Sequence, residues 1–135
     1  MNTAKELLKN GYTLALCLGD TIYTSYERGV KSLLSFVENN IDVKGFSCAD
    51  KVVGKGAAYL YVLLEVKDVH ATVISECAKN VLIRYGIAVT YDSLVDRIQN
   101  RDKTGFCPIE EAVLNIDEPH KALIAIKDKL IALRS

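Results

Sequence analysis

The chain has 135 residues and a mass of 14.9 kDa, the size of one globular domain without room for two independent cores. Lys plus Arg number 17, as do Asp plus Glu, so no overall field would attract nucleic acid or anionic lipid. With half of its residues hydrophobic and only two prolines, the sequence predicts a single folded domain over residues 1–135.

Neither the first residues of the sequence nor its cysteines suggest export or a metal cluster. The first residues lack the basic and apolar regions of a secretory signal, and no apolar run approaches the ~18 residues of a membrane span. The four cysteines stand singly, without the close pairs of a zinc ribbon. We therefore expect a cytoplasmic protein with reduced thiols, no membrane partner, no metal and no other cofactor.

The first part of the chain predicts a short helix, a β-hairpin and a second helix. The opening helix ends at Asn10-Gly11, a common helix stop. Residues 12–18 and 21–26 are rich in apolar and β-branched residues, and Gly19-Asp20 between them suits a tight turn. Residues 28–39 carry one apolar stripe at helical spacing, formed by Val30, Leu33, Leu34 and Val37.

The remainder alternates strands with helices. Residues 43–49, 69–74 and 87–91 predict strands, separated by helices over about 51–65 and from Ser75 to Gly86. The helix over 51–65 is apolar on nearly all sides, which predicts that it is the most buried. A short helical segment at 94–98, a polar loop at 100–106 and a helix start at Cys107-Pro108 follow.

The final helix begins at about residue 119 and carries an apolar stripe of Leu123, Ile126, Leu130 and Leu133. That stripe either packs on the sheet or forms the seam of a homodimer. Taken together, the elements predict an α/β protein, a three-layer α/β/α sandwich. Its five-stranded sheet is mixed, antiparallel at the hairpin and mainly parallel after it, with helices on both faces.

Three sequence strings carry a resemblance to a known family. They are residues 25–30 (SYERGV), residues 49–55 (ADKVVGK), and Asn100-Arg101 with residues 104–110 (TGFCPIE). With the element order, they resemble the cytidine deaminase-like fold, and within it the uncharacterised prokaryotic domain-of-unknown-function family 1893. Zinc deaminases hold their metal with His-x-Glu or Cys-x-Glu and Pro-Cys-x-x-Cys motifs. Here Ser25 stands at the first ligand position and residues 49–55 contain no cysteine or histidine, so the zinc motifs are missing.

Residues 50–56 suggest an anion site. Asp50 and Lys51 precede Gly54, Lys55 and Gly56 at a predicted helix start, where unpaired N–H groups, glycines and lysines suit a phosphate. The string matches neither a Walker loop nor G-x-G-x-x-G. The alternative is that Asp50 caps the helix, the lysines are solvated and the glycines allow close packing.

Further candidates come from the other helix starts and the polar loop. Glu27 and Arg28 begin the other core helix and either face the same cleft or form a surface ion pair. Arg101 and Thr104 are added because of the resemblance, as residues of a polar loop that could reach a nucleotide.

Three residues are weak catalytic candidates: the carboxylates Glu27 and Asp50, and the Cys107 thiol near a helix start. His70 and His120 are the only histidines available as a base for that thiol. The sequence thus supports three hypotheses: a zinc-less deaminase-like domain that binds a nucleotide or related phosphate-bearing metabolite, a non-zinc nucleotide-modifying or thiol enzyme, and a protein-interaction module. Nucleic-acid binding is disfavoured because the chain is neutral.

Overall fold

The structure, a computed structural model, describes residues 2–27, 30–98 and 107–134. The strands within these ranges are β1 (Leu14–Leu18), β2 (Thr21–Ser25), β3 (Ser47–Val53), β4 (Asp68–Ser75) and β5 (Ala88–Val95). The helices are α1 (Asn2–Lys9), α2 (Lys31–Glu38), α3 (Lys55–Leu64), α4 (Glu76–Arg84), α5 (Pro108–Ala112) and α6 (Pro119–Arg134).

The five strands form one mixed sheet in the order β2-β1-β3-β4-β5. β1 runs antiparallel to both β2 and β3, whereas β3, β4 and β5 are parallel to one another. The turn between β1 and β2 uses Gly19 at φ 58°, a conformation in which glycine is unstrained. The predicted α/β class and mixed sheet are therefore confirmed.

The two faces of the sheet are covered unequally, as the alternation of side chains along each strand shows. Leu16 and Cys48 point to one face, where they share a large core with residues of α2, α3, α4, α5 and α6. Ala15 and Ala49 point to the other face and pack against α1 in a small separate cluster. We call these the helix-rich face and the α1 face.

α3 is the central helix of the helix-rich face. Tyr59 and Tyr61 are both fully buried, as the apolar pattern predicts. Each hydroxyl group has a hydrogen-bond partner: Tyr59 Oη donates to the Ile116 carbonyl at 2.9 Å, and Tyr61 Oη donates to Asp50 Oδ2 at 2.7 Å. These tyrosines are thus core residues rather than a platform for stacking bases.

Two predicted boundaries are wrong for the same physical reason, strand pairing. The helix predicted from about residue 51 begins only at Lys55, because Val52 and Val53 continue β3 and pair with Val73 and Ile74 of β4. The helical segment predicted at 94–98 does not form, because β5 continues to Val95 alongside β4. The third predicted strand, at 43–49, is shifted to Ser47–Val53.

Candidate functional site

A cavity of about 150 Å³ lies at the carboxyl ends of β4 and β5, beside the amino ends of α3 and α4. This is the edge of a parallel sheet at which α/β proteins bind their ligands. We call it the carboxyl-edge cavity; its lining residues are Lys55, Ser75, Glu76, Cys77, Asp96, Arg97, Glu110 and Leu114.

The amino end of α3 is occupied by a side chain from α5. Glu110 Oε2 accepts a hydrogen bond of 2.6 Å from the backbone N–H of Lys55, and the N–H of Gly56 also bonds to this carboxylate. Ser75 Oγ donates to Glu110 Oε1 at 3.3 Å. Glu110 is only 8% exposed. The N–H groups predicted to meet a phosphate therefore hold an internal carboxylate.

Both glycines of the predicted anion site make room for α5. A Cβ atom on Gly54 would lie 2.6 Å from the carboxyl carbon of Glu110, and one on Gly56 would lie 2.8 Å from Cγ2 of Ile109. Such distances are shorter than carbon atoms tolerate, so a side chain at either position would force Glu110 or Ile109 to shift. Close packing, the alternative function of these glycines, is thus observed.

The two lysines of the same string lie in different surroundings. Lys55 lines the carboxyl-edge cavity, and its Nζ donates to the Leu114 carbonyl at 2.9 Å and lies 5.9 Å from the centre of the Tyr59 ring. Lys51 is exposed and, by strand alternation from Ala49, points to the α1 face. The structure therefore does not bring Lys51 and Lys55 together.

Asp50 points into the helix-rich face, where it accepts the hydrogen bond from Tyr61. Burial raises the pKa of its carboxyl group to about 7, against the opposing effects of Tyr61 and of the backbone N–H groups of Val52 and Lys51. The cap position of α3 is Gly54, so Asp50 is not the helix cap. Asp50 also does not line the carboxyl-edge cavity.

Of the remaining predicted site residues, Glu27 and Cys107 are described, and neither lines this cavity. Glu27 is exposed beyond β2, and its Oε2 accepts from Ser32 Oγ at 3.3 Å. Arg28, Arg101 and Thr104 lie outside the described residues. Within the described residues, the cavity walls come from α3, α4, α5 and the end of β5, and not from the start of α2.

Cys107 is half-buried at the cap position of α5, and its predicted histidine partners are engaged elsewhere. His70 Nδ1 lies 2.7 Å from Thr90 Oγ1, and its Nε2 lies 3.5 Å from Asp92 Oδ1. His120 lines a second cavity, of about 300 Å³, at the carboxyl ends of α2 and α3. That second cavity is at the other end of α3 from the carboxyl-edge cavity.

The cysteines differ in exposure. Cys17 and Cys48 are buried, and burial raises the pKa of both thiols. Cys77 is exposed, because its place in the first turn of α4 faces the carboxyl-edge cavity rather than the core. Among residues 2–27, 30–98 and 107–134, no group of three or more His, Cys, Asp or Glu side chains is arranged to hold a metal ion.

Sequence reasoning missed Ser75, Glu76, Cys77, Asp96 and Arg97 as cavity residues. The signal was available, because Ser75 ends β4 and the other four residues directly follow β4 or β5, just as Asp50 was thought to follow β3. The helix predicted from Ser75 is confirmed as α4, and Ser75 is its cap: its Oγ accepts from the N–H of Ala78 at 3.2 Å. No helix in the described ranges is long and apolar enough to cross a bilayer.

The fold and the cavity define the class of the protein: an α/β protein with a mixed five-stranded sheet and a cavity at the carboxyl edge of its parallel strands. The chain belongs to the domain-of-unknown-function family DUF1893 (TM1506), whose model matches residues 2–130. It is similar to the crystal structure of a DUF1893 family protein (TM1506) from Thermotoga maritima at 2.70 Å resolution. The two chains are 27% identical with a TM-score of 0.87, over 95% of this chain and 87% of that one. No curated protein matches the chain.

Proposed function

We propose that this chain is a deaminase-like domain without zinc that binds a nucleotide or related phosphate-bearing metabolite in the carboxyl-edge cavity. The observation that carries the proposal is the meeting of Lys55, Arg97 and the first turn of α4 around one cavity at the carboxyl ends of parallel strands. The first N–H groups of a helix lack intrahelical partners and attract anions, and Lys55 adds a positive charge.

The acidic residues of the cavity suit the rest of such a ligand. Glu76, Asp96 and Glu110 supply carboxylate oxygens, which accept hydrogen bonds from hydroxyl and amino groups. A nucleotide carries a phosphate for the cationic side chains and a sugar and base with such donors. A cavity of about 150 Å³ is smaller than the ~300 Å³ or more of a site for a drug-sized molecule, so it would hold the phosphate and part of the sugar.

The binding hypothesis is favoured over the enzyme hypothesis because the catalytic candidates are dispersed. Glu27 contacts Ser32, Asp50 contacts Tyr61, and Cys107 begins α5. Catalysis of nucleotide chemistry requires such groups to surround one reacting atom. The interaction-module and homodimer interpretations stay predictions.

The test is isothermal titration calorimetry with inorganic phosphate, a nucleoside monophosphate and the matching nucleoside. Lys55→Met removes the ammonium group that lines the cavity, and Lys51→Met removes one equal charge from the α1 face. We expect Lys55→Met to weaken binding of the monophosphate about tenfold or more and Lys51→Met to leave it unchanged. Equal effects of both variants, or no binding to the unaltered protein, would overturn the proposal.

A further inference from the structure

Glu110 takes part in two features of the molecule at once. Its carboxylate forms part of the wall of the carboxyl-edge cavity, and it also holds the N–H groups of Lys55 and Gly56 at the start of α3. The hydroxyl of Ser75, the cap residue of α4, donates to the same carboxylate. One buried anion therefore joins the amino ends of both helices that border the cavity.

The space around this carboxylate is shaped for an anion. Absence of a side chain at Gly54 leaves room for both carboxylate oxygens, which would lie 2.6 Å and 3.0 Å from a Cβ atom at that position. Two backbone N–H groups and one hydroxyl converge on them. The same set of donors, with glycine at the point of closest approach, is what a phosphate oxygen would need.

A phosphate in the cavity would meet Glu110 as a neighbouring like charge. The positive groups that line the cavity are Lys55 and Arg97, and the other negative groups are Glu76 and Asp96. Two anions that share one set of donors repel each other, unless one is protonated or leaves. Burial raises the pKa of Glu110, which means that its charged form is held there at a cost in desolvation.

We infer that Glu110 is an internal competitor for the phosphate of the ligand: it fills the donor set of Lys55, Gly56 and Ser75 in the empty protein and yields it when the ligand binds. This inference rests on the proposed function and adds its regulation. Glu110 keeps the start of α3 satisfied in the absence of ligand, and it lowers the affinity for any anion that cannot displace it.

The experiment measures the affinity for inorganic phosphate by calorimetry in two matched variants. Glu110→Gln removes the competing charge and keeps the size of the side chain, whereas Glu111→Gln removes an equal charge from the exposed neighbour on α5. We expect phosphate to bind Glu110→Gln about tenfold more tightly than the unaltered protein, and Glu111→Gln to match the unaltered protein. Glu110→Ala leaves the N–H groups of Lys55 and Gly56 and the hydroxyl of Ser75 without this partner. Its thermal stability should therefore rise more on addition of phosphate than that of Glu110→Gln or Glu111→Gln.

The outcomes separate this inference from the proposed function. Phosphate binding that is equal or weaker in Glu110→Gln would overturn the inference while the proposed function stands. Binding by Glu110→Gln but not by the unaltered protein would overturn the proposed function, and with it the inference that rests on it. No binding by the unaltered protein or by any Glu110 variant would overturn both. A loss of stability in Glu110→Gln without a gain in phosphate affinity would make Glu110 a structural cap only.

Discussion

Asp50 is the residue whose role differs most from its predicted one. It was a candidate for phosphate binding and catalysis, but its carboxyl group lies under α3, in a hydrogen bond with Tyr61. Burial raises its pKa from an ordinary value of 3.8 to about 7. The folded protein therefore takes up a proton at Asp50 in a pH range where the unfolded chain has lost it.

This shift gives the free energy of unfolding a defined pH dependence. Because the folded pKa is the higher one, the contribution of Asp50 to stability is complete below about pH 4 and is lost as the pH rises towards 7. Asp50→Asn keeps an acceptor for Tyr61 and removes the charge. We expect it to stabilise the protein by roughly 2 to 4 kcal/mol at pH 8 and to have little effect at pH 4.

Urea unfolding of both proteins at pH 4, 6 and 8 measures this difference. Asp128→Asn is the control, because Asp128 is exposed on α6. If the free energies of unfolding of Asp50→Asn and the unaltered protein differ by the same amount at all three pH values, the raised pKa of Asp50 is contradicted. The pKa of Glu110 is also raised, so the free energy of unfolding of Asp50→Asn should still fall as the pH rises, by less than that of the unaltered protein.

The sequence could identify Asp50 as unusual but not explain why. A carboxylate after an apolar strand is compatible with a ligand, a cap or a buried pair, and the choice depends on which face of the strand it occupies. That face is fixed by the register of β3 against β1, which pairs Asp50 with Leu14. Glu110 was missed for a similar reason, because its partners are 54 to 55 residues away in the chain, at Gly56 and Lys55.

At the scale of elements, the two ends of α3 are completed in different ways. Its amino end is satisfied by a side chain from α5, and its carboxyl end closes on Glu65 in the left-handed conformation, at φ 57° and ψ 40°. Glycine is the usual residue there, because a Cβ atom makes this conformation costly. Glu65 is exposed and lines the second cavity, by His120.

Replacement of Glu65 by glycine should therefore stabilise the protein. Relief of backbone strain exceeds the entropy that glycine loses on folding, and we expect a gain of roughly 0.5 to 1 kcal/mol. Glu65→Ala, which keeps the Cβ atom, should show no such gain. Thermal and urea unfolding of the two variants give the comparison; an equal response to alanine and glycine would show that the conformation of Glu65 is not strained.

Local pattern predicted the elements better than it predicted their limits. The hairpin, α2 and α3 follow from composition and spacing, and Gly19 marks the turn. The start of α3 was placed too early, because Val52 and Val53 fit a buried helix or a buried strand equally well. Pairing with β4 settled that choice, and such pairing is a long-range interaction.

At the scale of the whole molecule, the site is a product of the sheet topology. Parallel pairing of β3, β4 and β5 brings the starts of α3 and α4 and the residues after β5 to one edge. The position of such a cleft was predictable from the alternation of strands and helices, and Lys55 lines it. Its other wall was not predictable, because α5 lies far from α3 in the sequence. No local pattern indicates that the two helices border the same cavity.

The most direct test of the central claim, that phosphate is bound in the carboxyl-edge cavity, is an NMR titration of the isotope-labelled protein with inorganic phosphate. The account predicts amide shift changes centred on Lys55, Gly56 and the first turn of α4, with a change at Glu110 as its carboxylate is displaced. Shift changes centred on Lys51 or around His120, or none at all, would contradict it.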